Sequence, residues 1–218
     1  NLSAYLKFGC VSVREACNVI SNAFGRNDPI VRQLIWRDFY YHLGYGFTNR
    51  FGNSLKEQYD KIKWDNNRTL FNKWKEGRTG YPVIDACMTQ INKTGYMHNR
   101  GRLLVSSFLI KNLGIDWRWG EKYFAQSLVD YDVLVNNGNW QWTSGSGADS
   151  QPYFRVFNPW IQSDRYDKNC EYIKYWLPNL KNVENKHLHQ WDKFHTEYNL
   201  KDIDYVKPIV DYKESKEN

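Results

Sequence analysis

Apolar residues recur at helical spacing along most of this 218-residue chain, and no run of any length alternates apolar with polar residues as a half-buried strand would. The spacing predicts helices over residues 2–20, 30–45, 69–75, 83–93, 99–113, 120–135 and 171–176. Residues 136–148 are glycine-rich and predict an ordered loop, because Trp140 and Trp142 would be costly to leave in water. The charged last forty residues are expected to wrap the surface. The predicted fold class is all-α, a compact bundle of many short helices.

Several classes of protein do not fit this sequence. No apolar run approaches the roughly 20 residues that a bilayer-spanning helix needs, and residues 1–9 lack the basic start and apolar stretch of a signal peptide. We therefore expect a soluble, intracellular protein, without assigning a compartment. The cysteines include no CxxC pair, so neither a disulfide framework nor a metal site is predicted and buried or partly buried thiols are expected. They are Cys10, Cys17, Cys87 and Cys170.

Aromatic content and charge point to a ligand. Phe, Trp and Tyr make up 17% of the chain, and such rings serve cores, base stacking, flavin pockets and electron transfer. Residues 1–110 carry 16 Lys or Arg against 8 Asp or Glu, whereas residues 111–218 carry 14 against 16. A basic first half favours a polyanionic partner such as nucleic acid.

The first candidate cluster is a stripe in the helix predicted over residues 30–45. Gln33, Trp36, Arg37 and Tyr40 stand at i, i+3, i+4 and i+7, so they share one helix face. Mixed aromatic and hydrogen-bonding side chains suit a pocket that is apolar with a few polar anchors. A purely structural stripe remains the alternative interpretation.

Two further clusters combine polar and charged groups. Asn99 and Arg102 share a face near a predicted helix start, which favours an anion site, whereas Arg100 points elsewhere, toward a DNA phosphate. His98 is interpreted as structural. Asp130 is expected to pair with Arg102 in a buried site, because an unpaired buried carboxylate is expensive.

Asp132 and Asn136, at i and i+4, complete the third cluster and face one way. A solvated acidic helix end is the alternative for Asp130 and Asp132. No His or Cys stands with the two carboxylates, so a metal is not predicted.

Together these clusters resemble the photolyase/cryptochrome family. The matching stretches follow family order: LSAYL at 2–6, LIWRDFY at 34–40, WKEGRTGYP at 74–82, GYMHNRGR at 95–102, DWR at 116–118, DYDVLVNNGNWQW at 130–142, WLP at 176–178 and PIV at 208–210. The resemblance implies one domain over residues 1–218, the all-helical FAD-binding domain without the N-terminal α/β antenna domain. The chain then begins inside the family's flavin-phosphate loop, as a fragment or processed product. FAD is the implied cofactor, and no antenna chromophore is expected on this chain.

The resemblance also implies roles for individual residues. The flavin contacts would be Leu2, Ser3, Arg37, Asn99, Arg102, Asp130, Asp132 and Asn136, with Asn136 near flavin N5. The DNA pocket would contain Gln33, Trp36, Tyr40, Asn99, Arg100, Leu103 and Trp142, with Trp36 and Trp142 on either side of a flipped pyrimidine dimer. The electron-transfer chain from flavin to surface would be Trp140, Trp117 and Trp64.

The implied activity is light-dependent repair of cyclobutane pyrimidine dimers in DNA, as in class I photolyases. Such enzymes usually carry Glu at the position of Gln33 and Met at the position of Leu103. The (6-4) photolyases carry Gln at the first of these positions, but they have His at the positions of Asn99 and Leu103. A cryptochrome-type blue-light photoreceptor is the first alternative, and Asn136 argues against it because plant cryptochromes usually have Asp there. A remnant that binds DNA or a partner without flavin is the second. The expected partners are dimer-containing DNA and a separate antenna-domain chain, with no membrane and no metal.

Overall fold

The computed structural model describes residues 2–149 and 156–215. Those residues contain helices and turns but no strand, which confirms the all-α prediction. The α-helices are α1 (Leu2–Lys7), α2 (Val13–Phe24), α3 (Pro29–Gly46), α4 (Arg68–Glu76), α5 (Pro82–Thr94), α6 (Asn99–Ser107), α7 (Trp117–Ser127), α8 (Val133–Ser144), α9 (Pro159–Tyr166), α10 (Glu171–Trp176), α11 (Asn185–Leu188), α12 (Trp191–Phe194) and α13 (Tyr212–Ser215). Short 3-10 turns occupy Thr48–Arg50, Glu57–Lys61, Pro178–Leu180 and His195–Glu197.

Two predicted helices were wrong in their bounds. The helix predicted over residues 2–20 is divided between α1 and α2 at Gly9, whose φ of +69° lies in the left-handed region that favours glycine. The predicted loop at 136–148 is mostly helix α8. It begins after Asp132, whose side chain accepts hydrogen bonds from the backbone N–H groups of Leu134 and Val135, both at 3.2 Å. The predicted helix 120–135 is therefore divided between α7 and α8.

The core lies where α5 packs against α4, α6, α9 and α10 and where α7 packs against α8. Large buried side chains at its centre are Trp74, Ile84, Met88, Phe108 and Trp117. The last forty residues were predicted to wrap the surface, but part of this segment enters the core. Leu180, Leu188 and Trp191 are fully buried there, and the Trp191 indole donates to the Val206 carbonyl at 2.9 Å.

A buried carboxylate joins the end of the chain to the start of α5. Asp85 is fully buried, and its oxygens accept from Thr79 N at 2.8 Å, Thr79 Oγ1 at 2.6 Å, Gly80 N at 2.9 Å and Tyr205 OH at 2.5 Å. Burial raises the pKa of Asp85 and these hydrogen bonds oppose the rise. Through Asp85, the Thr79–Gly80 turn before α5 is thereby bound to Tyr205, which is 120 residues after Asp85 in the chain.

The first three helices bury little of their apolar surface. Helix α1 has no buried residue, and Ala16 is the buried residue of α2. We call the exposed apolar residues of α1–α3 and of the turn after α1 the apolar N-terminal surface: Tyr5, Phe8, Val19, Phe24, Ile30, Ile35, Tyr41 and Tyr45. So much exposed apolar area on neighbouring helices is typical of a contact surface.

Cysteine placement agrees only in part with the prediction. Cys87 and Cys170 are buried and Cys17 is half-buried, but Cys10 is exposed.

Within the described residues, no three His, Cys, Asp or Glu side chains form a group that could hold a metal ion. None of the described helices combines the length and apolarity needed to cross a membrane.

A π-helical turn, Phe108–Asn112, follows α6 and carries a lysine with an altered pKa. Burial lowers the pKa of Lys111 to about 8, whereas an unfolded lysine titrates near ~10.4. At pH values between these two pKa values, Lys111 binds a proton more often in the unfolded chain than in the folded chain. The free energy of unfolding should therefore rise with pH in this range.

Replacing Lys111 by Met removes this titration. We expect the stability of Lys111→Met relative to the unchanged chain to fall by about 2 kcal/mol as the pH rises from 7 toward ~10, after discounting for partial solvent exposure. Urea unfolding of both proteins at each pH measures the difference. A stability difference between the two proteins that stays constant across this pH range would show that burial does not lower the pKa of Lys111.

Candidate functional site

A cavity of about 520 Å³ opens between α1, α3, α6, α7 and α8. Its lining includes every residue predicted to contact flavin: Leu2, Ser3, Arg37, Asn99, Arg102, Asp130, Asp132 and Asn136. The volume lies within the range of small-molecule and cofactor sites, and an aromatic wall with a few polar anchors is typical of them.

The residues predicted to bind DNA line the same cavity, with one exception. Gln33, Trp36, Tyr40, Asn99, Leu103 and Trp142 are all part of its wall. Arg100 lies outside it: its guanidinium carbon sits 3.9 Å from the centre of the Tyr166 ring, and Nη1 donates to Gln162 Oε1 at 3.2 Å. Its neighbour Asn99 faces the cavity, because adjacent residues of a helix point in different directions.

The stripe on α3 forms one wall, so the predicted shared face is confirmed. Tyr40 reaches across to α8, where its hydroxyl lies 3.5 Å from Asn139 Oδ1. A Cβ at Gly138 would overlap the Tyr40 ring, so glycine permits this close approach of α3 and α8. Burial, with a smaller effect of the Asp149 charge, raises the pKa of Tyr40 to about 12, which keeps the phenol a hydrogen-bond donor at neutral pH.

One charged cluster joins three separate parts of the chain, and it confirms the predicted Arg102–Asp130 pair. Arg102 Nη2 donates to both carboxylate oxygens of Asp130, at 2.9 and 2.8 Å. Arg102 Nε donates to the Met97 carbonyl at 2.8 Å, and Ser3 Oγ donates to Asp130 Oδ2 at 2.6 Å. The Asp130 side chain is only 2% exposed. The cluster therefore holds the start of α6 to the segment before α8, and the Ser3 hydrogen bond links α1 to both.

A second cluster includes a residue that the sequence interpretation missed. Arg37 Nη2 lies 3.9 Å from Asp132 Oδ2 and donates to Tyr41 OH at 3.0 Å. Tyr41 OH in turn donates to Asp132 Oδ2 at 2.5 Å. Burial, the hydrogen bond and the charge of Asp132 raise the pKa of Tyr41. Its i+4 spacing from Arg37 was the signal that could have found it.

Asn136 contacts another residue missed from the sequence. Its amide Nδ2 donates to the backbone carbonyl of Glu121 at 3.2 Å and to Glu121 Oε1 at 3.0 Å. Burial raises the pKa of Glu121, and the hydrogen bond from Asn136 opposes the rise. No spacing rule links these residues, because they lie on different helices.

The three predicted electron-transfer tryptophans lie at different depths. Trp140 lines the cavity and is 3% exposed, Trp117 is 1% exposed, and Trp64 is half-buried. The segment after Trp64 is bound near Trp117, since Asp65 N donates to the Gly114 carbonyl and Asp116 N donates to Asn66 Oδ1, both at 2.9 Å. Trp140 also contacts Trp74, with ring centres 6.5 Å apart, which sequence spacing did not single out.

Comparison with known proteins places this geometry in a family. The family described as the FAD binding domain of DNA photolyase matches residues 30–218. A deoxyribodipyrimidine photo-lyase of Buchnera aphidicola from Acyrthosiphon pisum is 46% identical over 99% of this chain and 46% of its own length. That of Escherichia coli K12 is 43% identical over 88% of this chain and 41% of its own length.

Solved structures agree. An archaeal photolyase from Sulfolobus tokodaii, solved with two FAD molecules, superposes with a TM-score of 0.90 at 46% identity, covering 100% of this chain and 48% of the other. A Synechocystis cryptochrome gives 0.87 at 38% identity, covering 99% and 47%. The chain thus spans about half the length of these relatives. By sequence match and by fold, this chain belongs to the FAD-binding-domain family of the DNA photolyases.

Proposed function

We propose that this chain is the catalytic domain of a light-dependent lyase that binds FAD and splits cyclobutane pyrimidine dimers in DNA. The observation that carries the proposal is one cavity whose wall includes every predicted flavin residue together with Trp36 and Trp142. The two curated relatives named above are deoxyribodipyrimidine photo-lyases, and their matches cover 99% and 88% of this chain. Because its substrate is DNA, we propose an intracellular location.

The residues present fit FAD. Arg37 and Arg102 supply guanidinium groups for phosphate or ring carbonyl oxygens, and Asp130 and Asp132 hold those side chains in place. The amide oxygen of Asn136 accepts no hydrogen bond from the described residues, so it is available to a donor in the cavity. Bound FAD would supply the light-driven one-electron donor, and the protein would position it and the DNA. Because the bound cofactor would recover its electron once the dimer is split, no external oxidant or reductant would be consumed.

We place the DNA lesion against Trp36 and Trp142. A pyrimidine dimer stacks poorly in the duplex, so extruding it into a pocket costs less than extruding a normal base pair. Trp36 already packs with Tyr40, at 6.3 Å between ring centres, and with Phe39 at 5.3 Å. We further propose that Trp140, Trp117 and Trp64 conduct electrons from the surface to the flavin. This order is supported because Trp140 lines the cavity, Trp117 is buried and Trp64 is partly exposed.

Replacing Trp36 by Ala should weaken the preference for damaged over undamaged DNA by about 1–3 kcal/mol, because a base-stacking surface is lost. Competitive binding of dimer-containing and matched plain oligonucleotides measures the preference. Tyr175→Ala is the control, since Tyr175 is 75% exposed and lies outside the cavity wall. Equal losses for both DNAs in Trp36→Ala would contradict the stacking role.

Two measurements test the function itself. The purified chain, supplied with FAD and washed, should show flavin absorption; colourless protein would favour the remnant that binds without flavin. The loaded, reduced chain under blue light should then split the dimers of a dimer-containing oligonucleotide into separate pyrimidines. Flavin binding without repair would favour a cryptochrome-type photoreceptor. The similarity of this fold to the Synechocystis cryptochrome supports that alternative.

We also propose that residues 1–29, outside the family match, belong to the same domain, because Ser3 hydrogen-bonds Asp130 and lines the cavity. The apolar N-terminal surface is then available to an α/β domain of the antenna type, which we propose as a protein partner. A binding partner that buries this surface would protect Phe8 and Phe24 from solvent, and both are more than two-thirds exposed, at 70% and 72%.

A further inference from the structure

The inference concerns the phenol of Tyr41 and rests on the proposed binding of FAD. The hydroxyl of Tyr41 accepts a hydrogen bond from Arg37 Nη2 at 3.0 Å and donates one to Asp132 Oδ2 at 2.5 Å. Arg37 and Asp132 line the cavity, whereas Tyr41 does not. Tyr41 can therefore act on the cavity through these two side chains.

The Tyr41 hydroxyl makes a connection that the two charged groups do not make directly. Arg37 Nη2 and Asp132 Oδ2 are 3.9 Å apart, which is too far for a hydrogen bond. The guanidinium carbon of Arg37 also lies 4.3 Å from the centre of the Tyr41 ring, a distance at which a cation and an aromatic face attract each other. One side chain thus supplies Arg37 with both a hydrogen-bond acceptor and a stacking surface.

Helix packing places this phenol between the two charged residues. Tyr41 follows Arg37 by four residues on α3, so the two side chains are neighbours on the helix surface. Helix α3 approaches α8 so closely that a Cβ at Gly44 would overlap the side chain of Leu134. Asp132 precedes α8, where its Oδ1 accepts from backbone N–H groups of the first turn, and its Oδ2 accepts from Tyr41.

The two arginines of the cavity differ in how fully carboxylates neutralise them. Arg102 Nη2 lies 2.8 Å from Asp130 Oδ2. The carboxylates that approach Arg37 among the described residues are 3.8 and 3.9 Å away, on Asp38 and Asp132, and the Asp38 side chain is 62% exposed. Within the same part of the chain, Nη2 is the nitrogen of the Arg37 guanidinium that donates a hydrogen bond. Of the two arginines, Arg37 therefore has more charge and more donors left for an anionic group of a ligand.

We propose that Tyr41 is a positioning residue that holds the Arg37 guanidinium in the cavity wall, with its remaining donors directed to the pyrophosphate of FAD. The pyrophosphate is the anionic part of FAD, and hydrogen bonds from a guanidinium to phosphate are about twice as strong as neutral ones. Without this support the arginine side chain would sample several rotamers, and ordering it on binding would cost affinity. Tyr41 thereby favours FAD over riboflavin, which has the same ring system but no phosphate.

The test measures the binding of FAD and of riboflavin to the unchanged chain, Tyr41→Phe, Arg37→Met and the double variant. Phe keeps a ring beneath the guanidinium and removes the hydroxyl, so the affinity for FAD should fall about fivefold while that for riboflavin stays within about twofold. In the Arg37→Met background, Tyr41→Phe should change FAD affinity by less than about twofold, because both residues act through one contact. Tyr175→Phe is the control, since it removes an exposed hydroxyl outside the cavity wall.

Isothermal titration calorimetry gives both dissociation constants, and circular dichroism shows that each variant is folded. Equal losses for FAD and riboflavin in Tyr41→Phe would overturn the inference, because a role confined to folding does not distinguish the two ligands. A loss of FAD affinity that persists in the Arg37→Met background would contradict an action through Arg37.

Two further outcomes separate this inference from the proposed function. Normal FAD affinity in Tyr41→Phe would overturn the inference and leave the proposed function intact. If Tyr41→Phe does not fold, a folded Arg37→Met that keeps the full preference for FAD over riboflavin would overturn the inference instead. An unchanged chain that takes up no FAD would end both the proposed function and the inference.

Discussion

Replacing Asp85 by Ala should lower the free energy of unfolding by about 4 kcal/mol, because donors that are buried with it lose their acceptor. Two are backbone N–H groups, of Thr79 and Gly80, and two are the hydroxyls of Thr79 and Tyr205. The side chain is fully buried, so water does not replace the lost partner. Urea unfolding followed by circular dichroism measures the change.

Asp164→Ala is the matched control for Asp85→Ala. Asp164 is exposed on α9, and its loss should change stability by less than about 0.5 kcal/mol. Should both variants unfold at similar urea concentrations, the four hydrogen bonds would not carry the stability assigned to them.

Replacing Arg102 by Ala should cost about 3 kcal/mol of stability, because it leaves Asp130 buried without its cation. The Asp130 side chain is 2% exposed and the Arg102 side chain 27%, so solvent screens one side of the pair only. Ser3 Oγ would remain as a donor to Asp130, but a hydroxyl does not neutralise the charge. Thermal and urea unfolding of the ligand-free protein measure this cost apart from any effect on FAD.

The exposed pair of Arg78 and Asp204 provides the comparison. Their side chains are 40% and 80% exposed and lie 3.1 Å apart. Arg78→Ala should therefore lower stability by no more than about 1 kcal/mol. A cost for Arg102→Ala as small as that for Arg78→Ala would show that water reaches Asp130 readily.

Local signals predicted the longest helix well. The helix predicted over residues 30–45 from apolar spacing is α3, Pro29–Gly46, and it begins after Asp28, whose side chain accepts from Ile30 N at 2.8 Å. Spacing placed Gln33, Trp36, Arg37 and Tyr40 on one helix face, and this face lines the cavity. Such predictions succeed because capping and helical period depend on residues a few positions apart.

Features that depend on distant residues could not be predicted from spacing. Ser3 and Asp130 are 127 positions apart, and only the packed fold brings them together. The burial of Trp191 and the stacking of Arg100 on the Tyr166 ring of α9 likewise depend on neighbouring helices. The family resemblance predicted the cavity residues but not Glu121 or Tyr41, which lie outside the matching stretches. Glu121 hydrogen-bonds Asn136, and Tyr41 hydrogen-bonds Arg37 and Asp132.

Helix α1 has no buried residue, yet Leu2, Ser3, Leu6 and Lys7 form part of the cavity wall. A segment with so little burial detaches from the rest of a protein at low free-energy cost, well before global unfolding. A ligand that touches both α1 and the opposite wall binds only the attached form and shifts this balance by mass action. Binding of the cofactor and attachment of α1 are therefore linked equilibria. Amide hydrogen exchange in residues 2–7 should slow when the cofactor binds, whereas exchange in α5 should stay the same.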